Sequence, residues 1–398
     1  MTDHRGDGFS EPRPGETFAD RLERLPFDRL LDLTRGAGPA RVDRALGAAS
    51  LDRSLDDLAA MLSPAAGERL EDLAAASHEL TVARFGRTMR MYAPLYLSNE
   101  CLTTCTYCGF ARELPIARRT LSPEETLREA RHLLGAGFRS ILLLTGEHER
   151  LTGVEFLEER IRSLAQEVPQ ISIEVQVWSE EEYRRLVAAG CEGVVIYQET
   201  YDPETYARVH IAGRKRHFRW RLLGPERAAR AGARRLGIGA LLGLHGDWRF
   251  EAVAMAAHAR FLMRRHWRSQ VSVSVPRLRP SAAGYQPADP VGDRDLVQLV
   301  CALRLALPDA GIVLSAREAP DFRDGLFQVG VTHTSAGSHT EPGGYEEPEG
   351  ATGQFDVADL RSPAQVAERL RELGYDPVWE DWARPGPAAG ALVSGRSS

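Results

Sequence analysis

A chain of 398 residues can bury a large core, and it exceeds the usual span of one barrel by enough to allow an added terminal segment. A net charge of −6 with a pI near 6.1 argues against a polyanion-binding surface, so no nucleic-acid partner is expected. No stretch has the length of an apolar membrane span, residues 1–14 lack the apolar core of a secretory signal, and clustered thiols need a reducing compartment; a cytoplasmic protein without a membrane partner is expected.

Residues 1–15 carry Gly, Pro and charge with little apolar periodicity and are expected to be flexible. Helical apolar spacing follows at 18–25, 27–33, 55–62 and 67–85, with breaks at Gly36, Gly38, Pro39 and Pro64, which predicts an N-terminal helical layer over 16–88. From Ala93 strands and helices alternate, with strands expected at 93–98, 140–144, 171–177, 193–197, 238–242, 270–275, 311–315 and 331–335. Two of the intervening helices have visible starts: Ser122 followed by Pro123 and two glutamates, and Ser179 with Glu182 three residues on as a capping box. Eight strands predict an α/β fold of the (β/α)8 TIM type over 89–340, full or nearly full, with strand eight the weakest and a partial barrel also compatible. Residues 341–384 are expected to form a C-terminal segment that closes the barrel, and 385–398, opening on a Pro-, Gly- and Ala-rich run, a flexible tail. The Arg-rich run 213–221 reads as a solvated helix face.

Cys101, Cys105 and Cys108 form a Cys-x3-Cys-x2-Cys triplet directly after the first strand, three of the five cysteines within eight residues. Three thiolates suit a 4Fe-4S cluster with one iron left open to a small molecule, which is a catalytic arrangement. A structural zinc site needs four ligands, and the nearest candidate, His148, lies forty residues beyond the triplet; zinc, or three unlinked buried thiols, is the alternative. Cys191 and Cys301 stand alone in apolar surroundings and are expected in the core.

In a parallel barrel the carboxyl ends of the strands converge on one mouth, and this chain places polar groups there repeatedly. Thr145, Gly146 and Glu147 follow strand two, Gln198 and Glu199 follow strand four, and His245 follows strand five. Arg277, Arg317 and the run from Ser335 to Ser338 end strands six, seven and eight. Strand three alternates Ser172, Glu174 and Gln176 with apolar residues, which turns its polar face into the barrel. Burying Glu174 without a partner would cost several kcal/mol, so a ligand or counter-charge is expected beside it. Each of these could be an ordinary strand-end group, but jointly they point to a ligand at the mouth.

The triplet, with Tyr107 just before its last cysteine, resembles the signature of the radical S-adenosylmethionine enzymes. That resemblance implies that the open iron chelates the amino and carboxylate groups of S-adenosyl-L-methionine, whose reductive cleavage releases a 5′-deoxyadenosyl radical. Thr145-Gly146-Glu147 resembles the Gly-Gly-Glu segment that contacts the methionyl amine; Thr145 replaces its first glycine, so Gly146 and Glu147 carry over. Pro94-Leu-Tyr-Leu-Ser-Asn99, Tyr197-Gln-Glu-Thr-Tyr201, Ser274-Val-Pro-Arg-Leu-Arg-Pro280, Leu314-Ser-Ala-Arg-Glu318, Ser335-Ala-Gly-Ser338, Gly343-Gly-Tyr345, Gln354-Phe-Asp356 and Val378-Trp-Glu-Asp-Trp382 resemble segments of the 2-iminoacetate synthases, the tyrosine lyases of bacterial thiazole biosynthesis, from about residue 60 to 383.

This resemblance implies cleavage of the Cα–Cβ bond of L-tyrosine to 2-iminoacetate (dehydroglycine) and p-cresol, with 5′-deoxyadenosine and methionine formed from S-adenosylmethionine. The metal ligands are then Cys101, Cys105 and Cys108, and the cofactor-binding residues Tyr107, Gly146, Glu147, Glu174, Gln198 and Glu199. Arg277 and Arg317 are the candidate forks for the substrate carboxylate, and Glu199 is placed with either substrate or cofactor. A low-potential donor such as flavodoxin or ferredoxin and a thiazole synthase are the implied protein partners. A second, C-terminal cluster, as in the tyrosine lyase of hydrogenase-cluster assembly, would need further cysteines, and none follows Cys301. A tryptophan-type lyase and a non-catalytic iron-sulfur carrier or scaffold are the alternative readings.

Overall fold

The computed structural model describes residues 9–287, 289–347 and 350–380. The expected tail 385–398, the end of the 341–384 segment with Trp382, and residues 1–8 of the expected flexible start lie outside the described residues.

Eight parallel strands form the centre: β1 (Thr88–Ser98), β2 (Ser140–Thr145), β3 (Gln170–Glu174), β4 (Cys191–Glu199), β5 (Arg235–Ala240), β6 (Gln270–Ser274), β7 (Gly311–Leu314) and β8 (His333–Ser335). Each pairs with the next, and β8 returns to β1 with Arg90 opposite His333, Met91 opposite Thr334 and Tyr92 opposite Ser335. The barrel is therefore closed by a strand of only three residues, and the partial barrel is excluded. A ninth strand, β9 (Asp376–Val378), lies parallel to Thr88–Arg90 at the start of β1.

The helices begin where side chains satisfy their free N–H groups. Ser122 and Ser179 each cap the following helix, Pro123–Gly135 and Glu180–Ala189, through a reciprocal box with Glu125 and Glu182. Before β1 come six helices, Phe18–Leu22, Phe27–Gly36, Pro39–Gly47, Leu55–Met61, Pro64–Gly67 and Leu70–Phe85. Several of them pack on the two barrel helices Trp248–Arg265 and Asp293–Ala306, whose faces are buried along most of their length. The helix Pro39–Gly47 is absent from the sequence reading because Gly38 and Pro39 read as breaks. They are instead its N-cap and first residue, where the missing N–H and fixed φ of proline cost nothing.

β3 ends at Glu174, three residues earlier than expected, so Gln176 leaves the ladder and donates from Nε2 to the Thr152 carbonyl at 3.2 Å. Barrels ordinarily fill their axis with bulky branched side chains. Here Ser140, Ser172, Gly193, Gly237, Ser272 and Ser274 border a cavity of about 100 Å³ in the lower barrel. A second chamber of about 60 Å³ lies towards the strand carboxyl ends, and Tyr92, Leu142 and Tyr197 border both. The chain beyond β8 crosses this upper chamber, contributing Ser338, Thr340, Gln354, Phe355 and Val357 to its wall.

Candidate active site

The loop after β1 is held at both ends before it presents its thiols. Asn99 donates from Nδ2 to the carbonyls of Ala117 (2.8 Å) and Thr352 (3.1 Å), and its Oδ1 accepts from Arg119 N (2.7 Å). Thr104–Cys105 forms a short antiparallel ladder with His210–Ala212, so the middle of the loop is pinned to the chain after β4. Cys101 and Cys105 are buried and Cys108 is half-buried, all as free thiols. Thr103 Oγ1 lies 2.9 Å from Cys101 Sγ and 3.7 Å from Cys105 Sγ, while Gln354 Nε2 reaches to 3.7 Å from Cys108 Sγ. Burial pushes the Cys105 and Cys108 thiols up, and the neighbouring sulfurs add to it, although Lys215 opposes both. Among the described residues no three His, Cys, Asp or Glu side chains gather tightly enough to hold a single metal ion. Three thiols on one loop, with no fourth ligand beside them among the described residues, match in type and number the protein ligands that an iron-sulfur cluster with one open iron would take.

β2 delivers the next residues. Gly146 N donates to Ser98 O at 2.9 Å and Leu102 N donates to Glu147 O at 2.8 Å, which stitches the end of β2 to the cysteine loop. A Cβ on Gly146 would collide with the Glu100 carbonyl and stand 3.1 Å from Cys101 Cβ, so glycine is required by the crossing itself. Glu147 accepts from Arg221 at 3.1 Å.

At the end of β4 the register shifts between Tyr197 and Glu199, and Glu199, with φ +72°, is the one non-glycine residue of positive φ among the described residues. Such a conformation costs about 1–3 kcal/mol and is held by its surroundings. Glu199 accepts from Lys215 Nζ at 2.7 Å, and Arg221 lies 3.6 Å from the same oxygen while donating from Nε to Tyr197 O at 2.6 Å. Burial raises the Glu199 carboxyl, but the ammonium and guanidinium together outweigh it and hold it below the usual range. Tyr107 OH lies 2.9 Å from His210 Nε2, and His210 Nδ1 lies 2.9 Å from the Tyr206 carbonyl. Since that carbonyl can only accept, Nδ1 carries the proton and Nε2 accepts from Tyr107. Burial and the two nearby cations push His210 down to about 2, which keeps it neutral.

Lys215, Arg221 and His210 are site residues that the sequence reading missed. The run 213–221 is not one wet helix face: a 3-10 turn, Arg214–Arg216, and a separate helix, Phe218–Leu222, turn Lys215 and Arg221 inward while Arg214, Arg216 and Arg219 stay exposed. The interleaved Phe218 and Trp220 were the available signal. Around this network several buried polar atoms lack a hydrogen-bond partner: both amide atoms of Gln198, Thr145 Oγ1 and Gln176 Oε1. Unsatisfied buried groups on three neighbouring strand ends mark a place for a polar ligand beside the thiols.

Glu174 and Arg317 both line the upper chamber, with Tyr92, Tyr96, Tyr197 and Phe355. The Arg317 guanidinium carbon stands 3.3 Å from the Phe355 ring centroid. Burial, reinforced by Glu199, raises Glu174 to about 7 against the opposing pull of Arg317, Arg221 and Lys215. Arg277 is elsewhere, which corrects its pairing with Arg317. Its Nε donates to Glu318 at 3.0 Å, a second nitrogen also meets Glu318, and Nη1 donates to Asp293 (2.7 Å) and Val291 O (3.0 Å), beside a separate surface cleft. Glu318 is the cause: a buried carboxylate needs cations, and it takes both Arg277 and Arg279. His245 likewise turns away, its Nδ1 meeting Asp247 N and O.

Comparison with known proteins agrees with this geometry. Residues 95–256 match the Radical SAM superfamily, and residues 274–376 match the Biotin and Thiamin Synthesis associated domain. The chain is 43% identical over 367 residues to the 2-iminoacetate synthase of Escherichia coli (strain K12), covering 92% of this chain and 97% of that one. The X-ray structure of the FeFe-hydrogenase maturase HydG from Carboxydothermus hydrogenoformans superimposes with a TM-score of 0.78 at 31% identity, covering 91% of this chain and 82% of that one. A methylornithine synthase structure shares the fold, with a TM-score of 0.68 at 21% identity over 85% of this chain and 97% of that one. A relative this similar along nearly the whole of both chains, joined to the radical SAM match over the cysteine loop, shows that the chain belongs to the 2-iminoacetate synthase family.

Proposed function

We propose that this chain is a radical S-adenosylmethionine lyase that cleaves the Cα–Cβ bond of L-tyrosine, releasing 2-iminoacetate and p-cresol for thiazole formation. One observation carries the reading in a chain of this family: Arg317 and Glu174 line a single aromatic-walled chamber next to the three-cysteine loop. An iron-sulfur carrier has no use for such a chamber.

In this reading Cys101, Cys105 and Cys108 hold one 4Fe-4S cluster, leaving its fourth iron to S-adenosylmethionine. When bound, that pair supplies the electron and the adenosyl radical that takes a hydrogen from the substrate amine. Glu147 accepts from the methionyl ammonium, beside Gly146, where only a glycine lets the chains approach. Arg221, fixed by Glu147 and Tyr197, presents its remaining donors to the methionyl carboxylate. Gln198 and Glu199 take the ribose side, and Tyr107, locked by His210, fixes the loop before Cys108.

Arg317 binds the tyrosine carboxylate, and Phe355 against it holds its planar fork in place. We assign Glu174 to the substrate amine, because it shares the chamber with Arg317. A carboxyl that titrates near 7 can take the proton of the substrate ammonium and leave a neutral amine for hydrogen abstraction. The aromatic walls and the crossing segment exclude water from the radical. Residues 89–340 then act as the catalytic barrel, 16–88 as its helical layer and 341–384 as its cover. The reduced state that the thiols need favours the cytoplasm as its compartment. The imine product hydrolyses in water, which favours direct transfer to a thiazole synthase.

Anaerobically reconstituted Arg317→Lys and Arg277→Lys proteins test the chamber. The first is expected to lose p-cresol formation at least ~10-fold while still cleaving S-adenosylmethionine, because an ammonium cannot make a planar two-point contact. The second should form p-cresol normally. Equal loss in both, or in neither, would move the carboxylate site elsewhere.

A further inference from the structure

Six large apolar side chains are exposed among the described residues: Leu51, Leu102, Leu151, Ile211, Trp267 and Leu360. Three of them lie on segments that are hydrogen-bonded to one another around the cysteine loop. Leu102 lies inside the cysteine loop, next to Cys101, and its N–H is held by Glu147 O. Leu151 lies a few residues beyond Glu147, in the same strand-end loop. Ile211 sits in the ladder that pins Thr104–Cys105, between His210, which turns inward to Tyr107, and Ala212. Leu102 and Ile211 are thereby exposed on segments joined by one short ladder, a surface that a partner can cover.

The charge around this face runs against that of the whole chain. Arg112, Arg208, Arg214 and Arg216 are exposed on the segments that carry Leu102 and Ile211, with Arg150 beside Leu151. The exposed acids on these segments are Glu113, Glu149 and Glu204; Glu113 accepts from Thr104 Oγ1, and Glu149 is held by Arg214 at 3.2 Å. A local basic excess on a chain of net charge −6 selects an acidic partner. The sulfurs behind the face are buried or half-buried, so a reductant meets the loop rather than the thiols.

We propose that this face, Leu102 and Ile211 ringed by Arg112, Arg208, Arg214 and Arg216, is the docking surface for an acidic one-electron carrier protein. The carrier is oxidised by one electron and the iron centre held by the loop is reduced by one, with no proton or group transferred. The Arg-rich run thereby works in two directions: Lys215 and Arg221 face the reaction, and Arg214 and Arg216 face the donor. The inference rests on the function proposed above, and its test separates the two.

Ile211→Glu and Arg216→Glu reverse the character of the face without touching the network of Glu147, Glu199 and Arg221. Binding of oxidised flavodoxin, chosen as the acidic probe, is followed by titration calorimetry at low and high salt. The reconstituted parent should bind, more weakly as salt rises, and each variant should bind about tenfold more weakly. Formation of 5′-deoxyadenosine should fall by the same factor with reduced flavodoxin and stay unchanged with dithionite, a small reductant that needs no docking. Arg216→Lys should bind as the parent does. Unaltered flavodoxin binding in both glutamate variants would overturn the proposal, as would an equal loss with dithionite. So would sedimentation showing that the face joins two copies of the chain. A parent protein that binds flavodoxin but cleaves no S-adenosylmethionine with dithionite would defeat the enzymatic reading instead.

Discussion

Glu174 shows how far one residue can be reasoned from sequence. Its place on the polar side of a buried strand predicts a charge in need of a partner, and it lines a chamber with Arg317. A glutamate in an unfolded chain ionises near 4.5, but here it holds its proton to about 7. Between these values the folded state keeps a proton that the unfolded state has lost, so stability falls as pH rises through that window. Glu174→Gln removes this slope: in urea melts its stability relative to the parent should improve by on the order of 3 kcal/mol from pH 4 to pH 8. A constant difference would mean that Glu174 ionises normally in the fold. The cysteines divide in the same residue-by-residue way. Cys101→Ala, Cys105→Ala and Cys108→Ala should each lose stoichiometric iron and all cleavage of S-adenosylmethionine. Cys191→Ala and Cys301→Ala, both core positions, should keep iron and activity and cost about 1 kcal/mol in thermal melts. Full activity in any triplet variant would remove the cluster from this loop.

At the scale of elements, the site depends on crossings between segments distant in sequence, and this decides what could be read in advance. Strand positions and the two serine caps were legible because period and capping chemistry are local. The failures were tertiary: Arg277 ends strand six as expected, yet the buried Glu318 on the next connection captures it. Lys215 and Arg221 turn inward because the chain after β4 doubles back on the cysteine loop through the ladder at His210–Ala212, which no local pattern encodes. The helix Pro39–Gly47 escapes a local pattern for a different reason, since Gly-Pro reads equally as a break and as a helix start, and here it is the start. Gly146→Ala tests the tightest crossing. The added methyl group must displace the Glu100 carbonyl, so the variant should fold with a loss of about 1–3 kcal/mol and load several-fold less iron, measured by iron counting after reconstitution. Normal iron loading would show that the crossing is not needed to shape the loop.

For the whole molecule, a closed barrel with a chamber at its upper end, a cysteine loop at its mouth and a wall from the chain beyond β8 together make one space for a radical reaction. Closure could not be read from the weak eighth strand alone; it follows from register, in which three residues pair with β1. Among the described residues no helix is long and apolar enough to cross a membrane. In such a space tyrosine is turned over and the reaction stops at the imine. The most direct measurement incubates the anaerobically reconstituted protein with S-adenosylmethionine, dithionite and either tyrosine or tryptophan, and quantifies the products. Tyrosine should give p-cresol and glyoxylate, the hydrolysis product of 2-iminoacetate, with no cyanide or carbon monoxide. Cyanide, or cleavage of S-adenosylmethionine with tryptophan and none with tyrosine, would contradict it.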